Sequence, residues 1–169
     1  LVAVIGSEEP VRRYASDLDT VRVQLKTVGR RAERREDEAW IRWRQAELTR
    51  APLARRIDLA REALSLAPTP ELEASIRVTL GHLLFASGAI ERATREFIRV
   101  LDGDARLEVT MAAHYGLAEA RRTQGRFDDA ARAYDVFATV YPETRRGDHA
   151  LLRSGDCFFY DGRYAAAEF

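Results

Sequence analysis

The sequence has little lysine, little cysteine and no long apolar run, and the last two shortages each exclude a class of structure. Lys26 is the only lysine among 27 basic residues, a bias that we attribute to GC-rich codon usage. Cys157 is the only cysteine, which excludes a disulfide framework or a cysteine-rich metal site built within the chain. No run of about 18 apolar residues occurs, so we predict no membrane span in this segment.

Charge of one sign is not in excess either. The 169 residues include 27 basic and 27 acidic side chains, and the formal net charge is zero. Both halves of the chain are close to balance, so no basic footprint for nucleic acid is present. What is abundant is Ala, Leu, Arg and Glu, a composition typical of helical chains. The length fits one well-buried all-α body with at most an appendage.

A turn of the form Gly-x-apolar recurs every 37 residues along the second half of the chain. A small residue stands seven positions before each turn glycine, and an alanine stands five positions after it. An aromatic residue follows the first two of these alanines. The positions are Gly81, Gly88, Ala93 and Phe97, then Ala118, Gly125, Ala130 and Tyr134, then Gly155, Gly162 and Ala167.

This spacing predicts pairs of amphipathic helices that meet at the glycine turn. The glycine can take the positive φ that ends a helix. The small residues suit the points where two helix backbones approach closely, and the aromatic residue fills the space between one pair and the next. These are packing requirements, and they carry no catalytic chemistry.

The repeated residues resemble the tetratricopeptide repeat family. Leu80-Gly81-x-x-Leu84 with Ala93-x-x-x-Phe97 matches the family pattern, as does Leu117-Ala118 with Ala130-x-x-x-Tyr134 and the closing Tyr141-Pro142. The resemblance implies a right-handed α-solenoid of helix-turn-helix repeats over residues 37–169. The repeats are 37–73, 74–110, 111–147 and an incomplete 148–169, and we expect the parent protein to continue beyond Phe169.

The first repeat, 37–73, is a degenerate copy. Trp40 falls on the family's tryptophan position and Pro68 on its closing proline. Arg44, Ala51 and Arg56 stand where the family has a small residue, glycine and alanine. We therefore expect the first helix pair to cross differently from the others.

Residues 1–36 form a separate N-terminal segment, with a heptad helix followed by a charged helical lead-in. The heptad stripe has two open interpretations, a helix that caps the first repeat or an element that assembles homo-oligomers. It is shorter than the three to four heptads that argue for a coiled coil. The stripe consists of Val11, Tyr14, Leu18, Val21, Leu25 and Val28.

Residues for catalysis, cofactor binding or metal binding do not form a recognisable pattern. His82, His114 and His149 lack the spacing of a metal-binding pair. Asp128-Asp129 suits the first turn of a helix, and Cys157 suits a small core position. We therefore predict a protein that is not an enzyme and that has no cofactor and no metal.

The resemblance also implies a concave groove, lined by the first helix of each repeat, that binds a segment of a partner protein. For Phe85, Leu152 and Phe159 the alternative is burial under a neighbouring helix. The carboxylate clamp of the family consists of Lys and Asn side chains. The matching positions here hold Ile41, Gln45 and the groove residues Val78 and His82, so the clamp residues are replaced. The implied groove residues are Val78, His82, Phe85, Tyr115, Glu119, Arg122, His149, Leu152, Asp156, Phe159 and Tyr160.

The 37-residue period, the Tyr-Pro ending and the heptad helix are similar to the bacterial cell-envelope branch of the family. That branch includes the coiled-coil protein of the Tol-Pal system and the lipoprotein of the outer-membrane assembly machine. The similarity implies a protein-binding adaptor in the periplasm or envelope, with the cytoplasm left open. The alternative function is a structural rod that assembles through its N-terminal heptad helix.

Overall fold

The computed structural model describes residues 30–31, 33–67 and 69–162, and within these ranges the chain is all-helical, without a strand. The heptad stripe of residues 11–28, Pro68 and Ala167 lie outside the described residues. The expectation of an all-α fold is confirmed. The helices are α1 at residues 33–48, α2 Leu53–Leu66, α3 Pro70–Ala86, α4 Ile90–Leu101, α5 Leu107–Thr123, α6 Phe127–Val140 and α7 Arg145–Tyr160.

Each helix from α2 onwards packs against the next one in the chain, and α3 packs against α5 as well. The indole Nε1 of Trp43 on α1 donates to Thr79 Oγ1 on α3 at 2.8 Å. Farther along, the Tyr115 hydroxyl on α5 lies 3.0 Å from His149 Nδ1 on α7. The odd-numbered helices are therefore neighbours, while α4 and α6 each pack against the two odd helices that they connect.

The turn glycines have the conformation expected of them. Gly88, Gly125 and Gly162 have φ values of 80°, 73° and 76°, in the left-handed region that favours glycine. After α3 the amide of Ala89 donates to Leu84 O at 2.9 Å, and after α5 the amide of Arg126 donates to Arg121 O at 3.0 Å. These bonds close the same Schellman-type helix end at both turns.

The small and large positions of the pattern are buried against one another. The rings of Phe97 and Tyr134 have no exposed surface, and neither do Ala93, Ala118 and Ala130. A Cβ atom added at Gly81 would lie 2.6 Å from the Phe97 ring, and one added at Gly116 would lie 2.5 Å from it. The two glycines thus let α3 and α5 approach one aromatic ring of α4 from two sides.

Helices α3, α5 and α7 begin three or four residues ahead of the predicted repeat boundaries at 74, 111 and 148. Capping explains the starts of α3 and α7. Thr69 Oγ1 accepts the amide of Leu72 at 3.4 Å and Pro70 occupies the first helical position, while Thr144 Oγ1 accepts the amide of Gly147 at 3.0 Å.

The connection within the first helix pair differs from the later glycine turns. The connection spans residues 49–52 and contains no positive-φ residue. The Arg56 guanidinium donates to the carbonyl oxygens of Ala46 at 2.8 Å and Glu47 at 3.1 Å, so it satisfies free acceptors at the end of α1. Helix α1 also runs without interruption across the predicted boundary between residues 36 and 37. In the part of the chain that was searched, no helix combines the length and apolarity needed to cross a bilayer.

Candidate functional site, a cleft between helices α3, α5 and α7

Three odd-numbered helices surround a cleft of about 390 Å³. We name it the central cleft. Helix α3 contributes two of its residues, α5 contributes four and α7 contributes two, while a ring of α4 closes its base. The lining residues are His82, Phe85, Phe97, Ala112, Tyr115, Gly116, Glu119, Arg146 and Arg153.

Aromatic packing holds the walls of the central cleft. The imidazole of His82 lies over the buried ring of Phe97, with ring centroids 5.3 Å apart. The Tyr115 ring packs edge-on against Tyr134 at 5.7 Å and Phe137 at 5.4 Å. Because both supporting residues of α6 are buried, Tyr115 is an ordered wall rather than a freely rotating side chain.

Polar contacts continue from the cleft along α5 and α7. Glu119 accepts a hydrogen bond from Arg122 at 3.0 Å and lies 3.6 Å from Arg153 Nε. Arg153 reaches Asp156 Oδ2 at 3.5 Å, and the Arg153 Nε itself is buried without a hydrogen bond. Both carboxylate contacts of Arg153 are long, so neither carboxylate holds its guanidinium tightly.

Arg146 is the cation of the cleft that lacks a counter-ion. It is exposed near the start of α7, and no carboxylate among the described residues pairs with it. Its charge acts on the rest of the cleft, because it is one cause of the lowered pKa of His82. At Tyr115 it only partly offsets the causes that raise the pKa. The two carboxylates, Glu119 and Asp156, balance the charges of Arg122 and Arg153. Arg146 therefore gives the site one net positive charge.

Four ionisable side chains in and around the cleft have shifted pKa values. Desolvation first, and then Arg146, lowers the pKa of His82, so its imidazole is neutral. Desolvation first, and then the neighbouring carboxylate of Glu119, raises the pKa of Tyr115 and of Tyr134. Burial raises the pKa of the Cys157 thiol to about 11.

The central cleft brings together four of the predicted groove residues, namely His82, Phe85, Tyr115 and Glu119. Three more join them through polar contacts: Arg122 binds Glu119, His149 bonds to Tyr115, and Asp156 contacts Arg153.

The remaining four predicted groove residues do not line the cleft. Val78 is buried in the core cluster around Phe97, because its position on α3 faces the helix pair. Leu152 and Phe159 are exposed on α7. Tyr160 is exposed as well, and it stacks on Phe127 of α6 with centroids 5.5 Å apart.

Two arginines line the cleft that were not among the predicted groove residues. Arg146 and Arg153 stand with His149 at spacings of three and four residues, so the three share one face of α7. That periodicity was a usable signal. Ala112 and Gly116 of α5 lie opposite this face. Because neither has a large side chain, the cleft stays open.

A second cleft, of about 490 Å³, lies between the N-terminal halves of α1 and α3. It combines the indoles of Trp40 and Trp43 with the carboxylates of Glu36, Asp37 and Glu71. Its charge is therefore opposite to that of the central cleft. Among residues 30–31, 33–67 and 69–162, no three His, Cys, Asp or Glu side chains stand close enough to hold a metal ion.

The central cleft thus combines aromatic walls with the small residues Ala112 and Gly116 and with two arginines. Comparison of the chain with protein-family models and with curated proteins finds no match.

Proposed function

We propose that this chain is a tetratricopeptide-like α-solenoid that acts as a non-enzymatic adaptor and holds a segment of a partner protein in the central cleft. The observation that carries the proposal is the convergence of His82, Phe85, Tyr115 and Glu119, four positions implied as groove residues by their place in the repeat, on one cleft. Aromatic residues and arginine at an ordered concave site are the side chains that supply most of the energy in protein interfaces.

Three further features support a repeat architecture. The turn glycines are spaced by 37 residues and share one backbone conformation. The helix ends before the first two of them have the same hydrogen bonds. The odd-numbered helices are neighbours, so residues in the same register from successive helices meet on one face.

The second candidate is a structural rod that assembles through the heptad stripe. The two functions differ in which residues they need. Substituting Leu18 and Leu25 by Asp would abolish assembly of a rod and leave an adaptor's cleft unchanged, while substitutions in the cleft would do the reverse. We propose a bacterial envelope location for either function, on the resemblance alone.

Site-specific photo-crosslinking in the native cells tests the adaptor function. A photoreactive phenylalanine analogue replaces His82 in the cleft, and the matched control places it at Arg95, an exposed position on α4. We expect a discrete crosslinked partner from position 82 that is absent from position 95.

A cleft variant then tests whether the partner depends on the site. Substituting Tyr115 by Ala removes one wall of the cleft, and circular dichroism with thermal melting checks that the helices remain. Loss of the crosslink in a folded variant supports the adaptor. Equal crosslinking from positions 82 and 95, together with loss of assembly in the Leu18→Asp, Leu25→Asp variant, would favour the rod.

A further inference from the structure

We infer that the partner segment presents an acidic side chain to Arg146 and Arg153, next to an apolar side chain that enters the space beside Phe85 and Ala112. This inference rests on the proposed function and specifies its ligand chemistry. The ligand is an aspartate or glutamate within a protein segment, and the recognition is a charge-assisted contact at the edge of an apolar cleft.

Arg146 offers an unpaired guanidinium to a ligand. Several arginines on the described helices have a carboxylate within ion-pair distance, including Arg122 at 3.0 Å from Glu119 and Arg77 at 2.7 Å from Glu96. Arg146 has none there, although it lines a cleft. A guanidinium beside aromatic walls is less well screened than one on an open surface, so a ligand carboxylate gains more from it.

Arg153 has only long contacts with carboxylates. It lies 3.6 Å from Glu119 and 3.5 Å from Asp156, and both distances exceed the range of a strong charge-assisted bond. Its donors are therefore only partly used. Arg146 and Arg153 stand two turns apart on one face of α7, a spacing at which two guanidinium groups can approach one carboxylate.

The apolar part of the cleft adds the second half of the motif. Phe85 is half-buried, and Ala112 and Gly116 present little or no side chain. The space in front of them is bounded by the Phe97 ring and by Tyr115. His82 adds no charge at neutral pH, because its pKa is lowered. An aliphatic or aromatic side chain of the ligand fits this space without leaving a polar group unpaired.

The test begins with selection from a display library of random peptides on the immobilised chain. Fusing each peptide through its C-terminus removes free terminal carboxylates, so any acidic preference belongs to a side chain. We expect the selected peptides to share Asp or Glu near an aliphatic or aromatic residue. A selected peptide is then synthesised with a fluorophore and its Kd is measured by anisotropy.

Charge reversal supplies the decisive comparison. We expect Arg146→Glu to weaken binding of the acidic peptide about tenfold or more, and a peptide with Lys in place of the acid to recover binding to that variant. Arg95→Glu on α4 is the matched control, since Arg95 is also exposed and has no ion pair among the described residues. It should leave the Kd unchanged. Arg146→Gln, which removes the charge without reversing it, should give an intermediate Kd.

The possible failures are distinguishable. Peptides that lack an acid, or that bind Arg146→Glu as tightly as the unchanged chain, overturn the acidic motif; if Tyr115→Ala still abolishes their binding, the adaptor function stands. Basic peptides whose binding is lost on substitution of Glu36 or Glu71 overturn it in favour of the second cleft. If no peptide binds any better than it does to the bare support, both the motif and the proposed function fail.

Discussion

At the scale of single residues, the contact that sets the spacing of α3, α4 and α5 is the ring of Phe97 between two glycines. Glycine within a helix costs about 1 kcal/mol relative to alanine. Gly81 and Gly116 are nevertheless required, because an added Cβ at either would lie 2.6 Å or less from the ring. Since Phe97 has no exposed surface, it has no free direction in which to move away.

We predict that Gly116→Ala lowers the free energy of unfolding by up to about 2 kcal/mol, since an overpacking cost of about 1–3 kcal/mol is offset by a gain of about 1 kcal/mol in helix propensity. Denaturant titration measures it. In a Phe97→Leu background the same substitution should cost less or become stabilising. Gly125→Ala is the control: it meets nothing within 4 Å but has a φ of 73°. Its cost of roughly 1–2 kcal/mol comes from the backbone alone and should not respond to Phe97→Leu.

The buried thiol of Cys157 gives a second residue-scale prediction. Burial raises its pKa to about 11, against about 8.5 for a free cysteine. At pH 8 we therefore expect an aromatic disulfide reagent to label the folded chain at least about a hundredfold more slowly than the chain in urea. Because the folded-state pKa is raised, stability should also fall as pH rises from about 8.5 towards 11. Rapid stoichiometric labelling of the folded chain would contradict the burial of this thiol.

At the scale of helices, the sequence predicted the turns between paired helices better than the first residue of each helix. The positions of Gly88, Gly125 and Gly162 could be predicted because only a residue without Cβ suits a positive φ. Helices α3 and α7 begin earlier than the predicted repeat boundaries, because Thr69 and Thr144 cap them at positions outside the repeat pattern. The contact of Arg56 with α1 could not be foreseen, since it depends on where the carbonyls of residues 46 and 47 end up in space.

One ion-pair cluster joins helices α3 and α4. Arg77 donates to Glu73 Oε1 at 2.6 Å on its own helix and to Glu96 Oε2 at 2.7 Å across the interface, and Arg99 binds the other oxygen of Glu96 at 2.8 Å. Glu96 is buried, and the Arg77 side chain is only 18% exposed. Desolvation lowers the pKa of Arg77, but the hydrogen bonds that it donates to Glu73 and Glu96 outweigh this effect, so the pKa is raised.

We predict that Arg77→Met destabilises the chain by about 1–3 kcal/mol, because it leaves the buried Glu96 carboxylate with only the exposed Arg99. The double variant Arg77→Met, Glu96→Leu should recover most of that loss, since no unpaired charge remains. Thermal melting of the two single variants and the double variant measures the coupling. Additive losses would mean that the interface does not depend on this pair.

At the scale of the whole molecule, the candidate site was only partly predictable. The repeat register identified His82, Phe85, Tyr115 and Glu119, because one position in successive first helices points to one face. It did not identify Arg146, whose lack of a carboxylate partner among the described residues depends on how the helices pack. It also placed Val78 in the groove, whereas the side chain is buried in the core.

The core itself is divided between two clusters. One surrounds Phe97 and draws on α1 to α5, and the other surrounds Tyr134 and Phe137 and draws on α5 to α7. Helix α5 belongs to both. Because the helices pack mainly against their neighbours in the chain, loss of one cluster leaves most contacts of the other intact.

We therefore predict that destabilisation stays local. Phe137→Ala removes a ring that is 1% exposed and should cost roughly 3–5 kcal/mol. Hydrogen exchange with mass spectrometry should then show faster amide exchange in α6 and α7, with protection in α3 and α4 largely retained. Leu80→Ala, at a site 4% exposed in the other cluster, should give the reverse pattern. Uniform acceleration of every helix by either variant would instead require that the two clusters unfold as one cooperative unit, because only a shared transition passes the loss from α6 to α3.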